Sequence, residues 1–232
     1  MRQNFNPPAH GLVLEVGSGE NPHPRANVLV DRFLFDNTER GGDIKLDARP
    51  MVVADAHHLP FRDQAFAYII CSHILEHMDD PPQFVRELER TGIGGYIGCP
   101  SEIAERLFHW SFHRWYVNLM PDGTLVLHPR EDATPFGELF DYLYEYNPMY
   151  YLFQRSMPHL FWVEQEWQGQ IKLHMAEQSP LPLDDPDALR ALVKPHFTPA
   201  QLAVLFVGAI LSRTLRRRGR EVVRNLFGKS YL

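Results

Sequence analysis

The acidic and glycine residues between Leu12 and Asp31 carry the clearest chemical signal in this sequence. A short apolar run ends in Val16, and Gly17 and Gly19 follow it directly. Such a run predicts a buried parallel strand, and glycines at its carboxyl end leave the backbone bare for a ligand. A second apolar run ends in Asp31, where a carboxylate can accept hydrogen bonds from ribose hydroxyls. The pattern indicates an enzyme that binds a nucleoside-bearing cofactor.

The residues after the glycines narrow the choice of cofactor. A dinucleotide fingerprint needs a third small residue where this chain has Pro22. Pro22 and Pro24 leave space for about one helical turn before the next strand, which gives a pyrophosphate no good helix terminus. A cofactor without phosphates fits better, and S-adenosylmethionine is such a molecule. Backbone N–H groups of the glycine turn can face its methionyl part, and Glu15 can counter its positive groups.

Two further segments continue a β-α-β order. The run "MVVADAHHLPF" ends a third strand near Asp55, whose carboxylate could accept from an adenine amino group with the Ala56 backbone beside the ring. The segment "FAYIICSHILEHMDDPPQFVRELERTGIGGYIGCPS" predicts a fourth strand, a helix and a fifth strand. Asp80 is the expected N-cap of that helix and Gly92 its end.

These motifs together resemble the class I S-adenosylmethionine-dependent methyltransferases, specifically the methyltransferase type 11-like small-domain family. The resemblance covers about residues 11 to 100 and depends on four elements in order: "EVGSG", Asp31, "DAHHLPF" and "SHILEHMDDP". It implies methyl transfer with S-adenosylmethionine as cofactor. It also implies a cofactor site in which Glu15, Gly17 and Gly19 border the methionyl part, Asp31 the ribose, Asp55 and Ala56 the adenine, and Ser72 and His73 the rim after the fourth strand.

The expected fold class is α/β, a Rossmann-like doubly wound sheet of seven mostly parallel strands. Two late segments, "LFWVEQEW" and "QIKLHMA", are predicted to pair and complete that sheet. The methyltransferase domain is expected to span residues 1–176. Within it, an aromatic-rich helical insertion at 101–159 is expected to cover the substrate. Residues 177–232 are expected to form a linker and a C-terminal helical tail.

Three histidines are candidates for catalysis. His73 follows the fourth strand, near where the methyl group should emerge. His109 and His113 lie four positions apart, so on a helix they would share one face and could bind a metal or act as a base. Because no third ligand has matching spacing, the sequence predicts no metal. A general base is needed only for an acceptor that keeps its proton at neutral pH, such as a hydroxyl.

Charge and composition exclude some function classes. The formal net charge of −6 argues against general nucleic-acid binding. Cys71 and Cys99 are expected to be free thiols, which suits a cytoplasmic protein. No uninterrupted apolar stretch reaches the length of roughly 18 to 20 residues that a membrane-spanning helix needs.

The C-terminal region combines an apolar block, "AQLAVLFVGAILS", with a basic block. Residues 213–229 hold six arginines and one lysine against one glutamate, a net charge of +6. Residues 198–232 therefore resemble a helix that lies on an anionic membrane surface, at the inner face of a membrane. The alternative is that the apolar half packs on the core while the basic half is solvated.

The leading hypothesis is S-adenosylmethionine-dependent methyl transfer, at O or N, to a small-molecule, glycan or lipid-linked acceptor. Two others stay open: a non-catalytic S-adenosylmethionine-binding scaffold, and a membrane-recruited interaction protein. The acceptor and the oligomeric state are not fixed by the sequence.

Overall fold

The computed structural model describes residues 5–39, 42–131, 136–182, 184–193, 200–201, 203–204 and 206–207. The chain divides into two compact units. The first comprises Met1–Thr134 and Trp162–Leu181, and the second comprises Pro135–Phe161 and Pro182–Leu232. The first unit thus takes in the early part of the predicted insertion. Most of the tail at 198–232 lies outside the described residues.

The first unit is built on a mostly parallel central sheet, as the sequence predicts. Its strands, in chain order, are β1 (Val13–Val16), β2 (Val28–Asp31), β3 (Met51–Val53), β4 (Tyr68–Ser72), β5 (Gly94–Pro100) and β8 (Trp162–Gln168). Their spatial order is β3-β2-β1-β4-β5-β8. The first five strands are parallel, and β8 runs antiparallel to β5.

The predicted seven-stranded sheet needs a correction, because six strands form the central sheet among the described residues. The segment expected as a seventh strand is β9 (Leu173–Met175), which belongs to a separate sheet with β6 (Trp115–Leu119) and β7 (Leu125–Pro129) in the order β6-β7-β9. Gly169, with φ +74°, turns the chain after β8. In the second sheet, Leu173 and Met175 pack against the apolar core, and this burial favours β7 over the edge of β8 as the partner of β9.

The crossover between β4 and β5 contains helix α1 (Pro81–Thr91). Asp80 caps it as expected, accepting a hydrogen bond from Gln83 N at 2.9 Å, and Gly92 follows its last turn. The connection from β1 to β2, residues 17–27, is described throughout and contains no helix, which confirms the short first crossover.

The two faces of the central sheet have different cores. One face packs Leu14, Val16 and Ile69 in a cluster that also holds residues of α1 and of the second sheet. The opposite face has a smaller cluster, in which the Phe5 ring stacks on Tyr96 with ring centroids 4.1 Å apart. Cys71 and Cys99 are buried and free, as predicted.

The predicted helical insertion at 101–159 is only partly helical. Helix α2 (Glu102–Phe108) is followed by the β6–β7 hairpin, whose turn is fixed by Gly123 at φ +82° and by Thr124 N donating to Asp122 Oδ1 at 3.1 Å. Alternate residues of the hairpin, Trp115, Val117 and Leu119 in β6 and Leu125 and Leu127 in β7, pack in the apolar core cluster, so this stretch has the period of a strand rather than that of a helix.

The second unit contains helices. They are α3 (Leu139–Tyr146), α4 (Pro148–Ser156), α5 (Pro158–Phe161) and α6 (Pro186–Leu192). Asn147 caps α4 by accepting from Met149 N and Tyr150 N. In the described part of the chain, no helix has both the length and the apolar character to cross a membrane.

Candidate functional site

Four neighbouring parallel strands end at one edge of the central sheet. In register, Val16 of β1 lies beside Val30 of β2 and Cys71 of β4, and Asp31 lies beside Val53 of β3. The loops that follow these strands therefore carry the predicted cofactor-binding residues to a common edge. This is the edge at which open α/β sheets bind ligands.

The glycine turn after β1 depends on a left-handed backbone. Gly17 has φ +67° and Gly19 has φ +52°. A Cβ at Gly17 would lie 1.9 Å from Ile74 Cδ1, whereas a Cβ at Gly19 would meet nothing within 4 Å. Gly17 is thus required by packing and by conformation, while Gly19 borders open space in which a ligand could lie against the backbone.

Glu15, in β1, is hydrogen-bonded to the loop that follows the glycine turn. The side chain is buried, and Oε2 accepts a hydrogen bond from His23 N at 2.7 Å. Burial raises the pKa of Glu15 to about 7, and the hydrogen bond from His23 and the charge of Arg49 offset this effect only in part. A carboxyl group that exchanges its proton near neutral pH therefore lies under the predicted methionyl site.

Asp31 holds the turn from the neighbouring strand. Its Oδ2 accepts from Gly19 N at 3.4 Å, and its Oδ1 accepts from Phe33 N at 3.1 Å. The carboxylate thereby joins the ends of β1 and β2.

Asp55 is oriented by His57, a residue outside the predicted site. Asp55 Oδ1 accepts from His57 N at 2.9 Å and lies 2.7 Å from His57 Nδ1. Because Asp80 N donates to His57 Nε2 at 3.2 Å, the ring proton belongs on Nδ1, which donates to Asp55. Burial raises the pKa of Asp55, but these hydrogen bonds and the charge of Arg32 outweigh it and hold the pKa below its ordinary value. Ala56, between them, is buried.

The spacing of Asp55 and His57 could have indicated this role, since an aspartate commonly accepts from the backbone N–H two residues later. The bond from Asp80 could not be inferred in this way, because it joins segments distant in sequence.

Ser72 and His73 occupy the end of β4, next to the glycine turn. Ser72 is paired with Gly98 in the sheet, and His73 N donates to Gly98 O at 2.7 Å. His73 has φ +57°, an uncommon conformation for a residue with a side chain. Its side chain is 46% exposed and its ring lies edge-on to Trp162, with centroids 5.5 Å apart. A partly exposed imidazole is therefore held at the candidate site by a strained backbone.

His109 and His113 do not share a helix face, which corrects that expectation. Helix α2 ends at Phe108, and His109 is its left-handed C-cap with φ +52°. His113 lies beyond the following turn and is buried, with Nδ1 at 2.5 Å from Glu105 Oε2. The left-handed residue breaks the periodicity on which the expectation rested.

His113 is nevertheless linked to His73 through a buried carboxylate. His73 Nδ1 lies 3.4 Å from Glu76 Oε1, and His113 Nε2 lies 4.0 Å from the same oxygen. His109 instead contacts Arg130, whose Nη1 lies 2.9 Å from its ring. The structure thus brings two of the three candidate histidines around Glu76.

A family comparison covers the part of the site from β3 to β5. Residues 36–97 match the family model described as a methyltransferase domain. No curated protein matches the chain significantly.

Three solved structures are similar to part of this chain. One is an S-adenosylmethionine-dependent methyltransferase from Thermotoga maritima, with 20% identity over 40% of this chain and 46% of that chain, and a TM-score of 0.32. The YcgJ protein from Bacillus subtilis has 21% identity over 44% of this chain and 51% of that chain, with a TM-score of 0.34. A methyltransferase from Mesorhizobium loti has 14% identity over 53% of this chain and 58% of that chain, with a TM-score of 0.33. The chain spans about half the length of the first two proteins.

The segment matched by the family model overlaps the residues predicted at the ends of β3 and β4. The matched segment contains Asp55, Ser72 and His73, and the glycine turn and Asp31 precede it on adjacent strands of the same sheet. Over residues 36–97, the chain is similar to a methyltransferase domain.

Proposed function

We propose that this protein transfers a methyl group from S-adenosylmethionine, at O or N, to a small-molecule, glycan or lipid-linked acceptor. The observation that carries the proposal is the common edge of β1 to β4. At this edge a left-handed glycine turn, two strand-end carboxylates and a partly exposed histidine lie on adjacent strands.

The residues present fit the cofactor. The open space at Gly19 admits a ligand to the backbone, and Glu15 lies beneath the turn that would border the methionyl part. Asp31 would bind the ribose hydroxyls, with Asp55 and Ala56 at the adenine. When bound, the cofactor supplies an electrophilic methyl group on a positively charged sulfur. The chain's own contribution is to hold these groups in place and to exclude water from the reacting atoms.

His73 is the side chain best placed to act on the acceptor. It follows β4, its ring is partly exposed, and its backbone N–H is fixed by Gly98. With a hydroxyl acceptor, its imidazole would take the proton; with an amine it would orient the acceptor. His113 is buried, so it would act through Glu76 as a positioning residue, and the ring of His109 is held beside Arg130.

Two measurements test the proposal. Calorimetry with S-adenosylhomocysteine measures cofactor binding. Mass spectrometry of a host extract, incubated with methyl-labelled cofactor and the protein, should then show an acceptor that gains one methyl group. His73→Gln should lose most of the turnover, with a smaller loss of affinity for S-adenosylhomocysteine, since His73 lies at the rim of the predicted cofactor site. Binding without any labelled acceptor would favour the non-catalytic scaffold, and no binding would contradict the cofactor site itself.

The second unit and the tail support a peripheral membrane role. Exposed apolar or aromatic side chains recur on α3 and α4, where Leu139 is 52%, Tyr146 70% and Met149 59% exposed. Residues 213–229 carry a net charge of +6, so the rest of the chain carries −12. A basic segment near an anionic surface gains about 1 kcal/mol per arginine. We infer that the C-terminal region at 198–232 brings the enzyme to an anionic membrane surface, where a lipid-linked acceptor would be available.

Vesicle co-sedimentation tests this inference on the full chain. The protein should bind vesicles that contain phosphatidylserine, bind neutral vesicles less, and dissociate as the salt concentration rises. The triple variant Arg216→Glu, Arg217→Glu, Arg218→Glu should lose this binding and keep its affinity for S-adenosylhomocysteine. Equal binding by the variant would overturn the membrane inference and leave the methyltransferase proposal intact.

A further inference from the structure

A compact group of histidine and carboxylate side chains lies beside the candidate methyltransferase site. Glu76, His77 and His113 each present one donor atom, and these atoms lie within 4.8 Å of one another. Glu76 and His77 belong to a single 3-10 turn, Leu75–His77, after β4, whereas His113 comes from the turn before β6. We call these three residues the His–Glu cluster.

Glu76 is the unusual member of the His–Glu cluster. The residue is 1% exposed, and neither of its carboxylate oxygens accepts a hydrogen bond from the described part of the chain. The histidine nitrogens nearest to Oε1, on His73 and His113, stand at 3.4 and 4.0 Å. A buried carboxylate without hydrogen bonds is costly, so it normally has a charge partner or coordinates a metal.

His113 is oriented as a metal ligand would be. Its Nδ1 lies 2.5 Å from Glu105 Oε2, which fixes a proton on Nδ1. In the neutral ring, Nε2 then directs a lone pair toward Glu76. Two hydrogen-bond acceptors, His113 Nε2 and Glu76 Oε1, therefore face each other at 4.0 Å. A histidine that ligates a metal through one nitrogen commonly donates the other N–H to a carboxylate in this way.

His77 completes the donor set. Its Nδ1 is buried without a hydrogen-bond partner in the described residues, and Glu39 Oε2 lies 3.2 Å away as an ion-pair contact. The His77 ring stacks on Phe112 at an interplanar angle of 3° and meets His113 edge-on, with centroids 4.6 Å apart. These contacts restrict rotation of both imidazole rings, which pre-organises their nitrogens.

The charges around the His–Glu cluster favour a divalent cation. Glu39, Glu76 and Glu105 contribute three negative charges when the histidines are neutral. Arg130 Nη1, 3.8 Å from Glu105 Oε1, contributes one positive charge. Arg114 lies nearby, but Asp79 neutralises it at 3.0 Å. The net charge that remains is −2, which one divalent cation would neutralise.

A surface pocket gives access to this group. Its lining contains His113 itself, with Glu39, Ser111, Phe112, Arg114 and Arg130. An ion, and a water molecule or the Glu39 carboxylate as further ligand, could therefore reach the His–Glu cluster from solvent.

We propose that Glu76, His77 and His113 bind a divalent transition-metal ion of the zinc type. Two imidazoles and one carboxylate suit Zn²⁺, Co²⁺ or Fe²⁺, whereas Mg²⁺ and Ca²⁺ prefer oxygen ligands. Donors about 2.1 Å from one tetrahedral ion stand about 3.4 Å apart, so the separation of 4.0 Å between His113 and Glu76 closes with a small side-chain movement. His73, beside Glu76, connects this site to the end of β4. Metal binding can be tested apart from the proposed methyl transfer, because a Zn²⁺ titration needs neither the cofactor nor an acceptor.

The test titrates chelator-treated full-length protein with ZnCl₂ by calorimetry, and with CoCl₂ by visible absorption. We expect one tight Zn²⁺ site and the d–d bands of a low-coordinate Co²⁺ ion. Glu76→Gln and His113→Gln should each weaken Zn²⁺ binding by at least about tenfold and remove the Co²⁺ bands. Glu105→Gln should weaken it by about 10- to 100-fold, as loss of a carboxylate behind a ligating histidine commonly does.

His128→Gln is the matched control. His128 is also buried and lies 2.9 Å from a glutamate, Glu102, but it is not part of the His–Glu cluster. It should keep the Zn²⁺ affinity and the Co²⁺ bands. Circular dichroism establishes that each variant is folded. The metal proposal is overturned if folded Glu76→Gln and His113→Gln bind Zn²⁺ as the native protein does, or if the native protein gives no Co²⁺ bands.

Discussion

The strand-end edge and the His–Glu cluster are neighbouring sites with opposite construction. At the edge, each functional group directly follows a strand, and its bonds are mostly short-range, as with Asp31 to Phe33 N and Asp55 to His57 N. In the His–Glu cluster, a 3-10 turn contributes Glu76 and His77, and the turn before β6 contributes His113. The edge is therefore readable as a series of motifs, whereas the His–Glu cluster exists only after the chain has folded.

Ile74 is the point where these two sites meet. It precedes Glu76 and His77, and its side chain fills the space where a Gly17 side chain would lie. Changes at Gly17 should therefore disturb both sites, and changes at Gly19 only ligand binding at the edge.

The largest effect is expected for Gly17→Ala. The new Cβ would lie 1.9 Å from Ile74 Cδ1 in a backbone at φ +67°. Overpacking of about 1–3 kcal/mol and a conformational cost of at least about 1 kcal/mol should lower the free energy of unfolding by about 2–4 kcal/mol. Urea denaturation measures this loss. A variant as stable as the native protein would show that Ile74 can move away freely and that the two sites are mechanically separate.

Glu15→Gln should stabilise the protein at alkaline pH. The folded-state pKa of Glu15 is raised from 4.5 to about 7, so the stability linked to its proton is complete below pH 4.5 and is lost as the pH rises to about 7. Glutamine keeps an acceptor for His23 N without the buried charge. At pH 8 the cofactor-free variant should therefore be more stable, by at most about 3 kcal/mol, with the difference vanishing near pH 4.5. Glu177→Gln, the same substitution at an exposed position of the same unit, is the matched control. A constant difference across this pH range would contradict the raised pKa.

Asp31→Ala should weaken binding of S-adenosylhomocysteine by about 1–3 kcal/mol, the cost of an unmade hydrogen bond to a charged group. Asp36→Ala removes a similar local bond, to Thr38 N at 2.9 Å, away from the strand ends, and should bind normally. The Zn²⁺ affinity of Asp31→Ala should stay within about twofold of native, since the hydrogen bonds described for Asp31 go to Gly19 N and Phe33 N and not to a ligand of the His–Glu cluster. Joint loss of both affinities in a folded variant would show that the edge and the cluster form one site.

Gly19→Ala should give the smallest effect and the most specific one. Its Cβ meets nothing within 4 Å, so any loss of affinity beyond the backbone cost comes from contact with the ligand. Gly169→Ala is the matched control, because Gly169 also has a positive φ and open space around its Cβ. The two variants should lose similar stability, while only Gly19→Ala should lose about a decade of S-adenosylhomocysteine affinity, or about 1.4 kcal/mol. Equal affinities would remove Gly19 from the proposed site.

The sequence by itself determined the parallel strands, the motif that follows each of them, the capping of α1 and the position of the glycine turn. These features depend on apolar runs, backbone freedom and hydrogen bonds between residues close in sequence, all of which can be read locally. The first crossover was predictable for the same reason, because Pro22 and Pro24 exclude a long helix there.

Only the tertiary structure decided which strands pair with the late strands and which side chains contact the buried histidines. β9 pairs with β7 because this position lets Leu173 and Met175 pack against the apolar core. No local sequence pattern reveals this pairing. The spacing of His109 and His113 suggested a helix face, but the left-handed His109 ends α2, and His113 then packs against Glu76 and Glu105. Side chains brought together by long-range packing depend on where every intervening element comes to lie, so their chemistry emerges only in the folded chain.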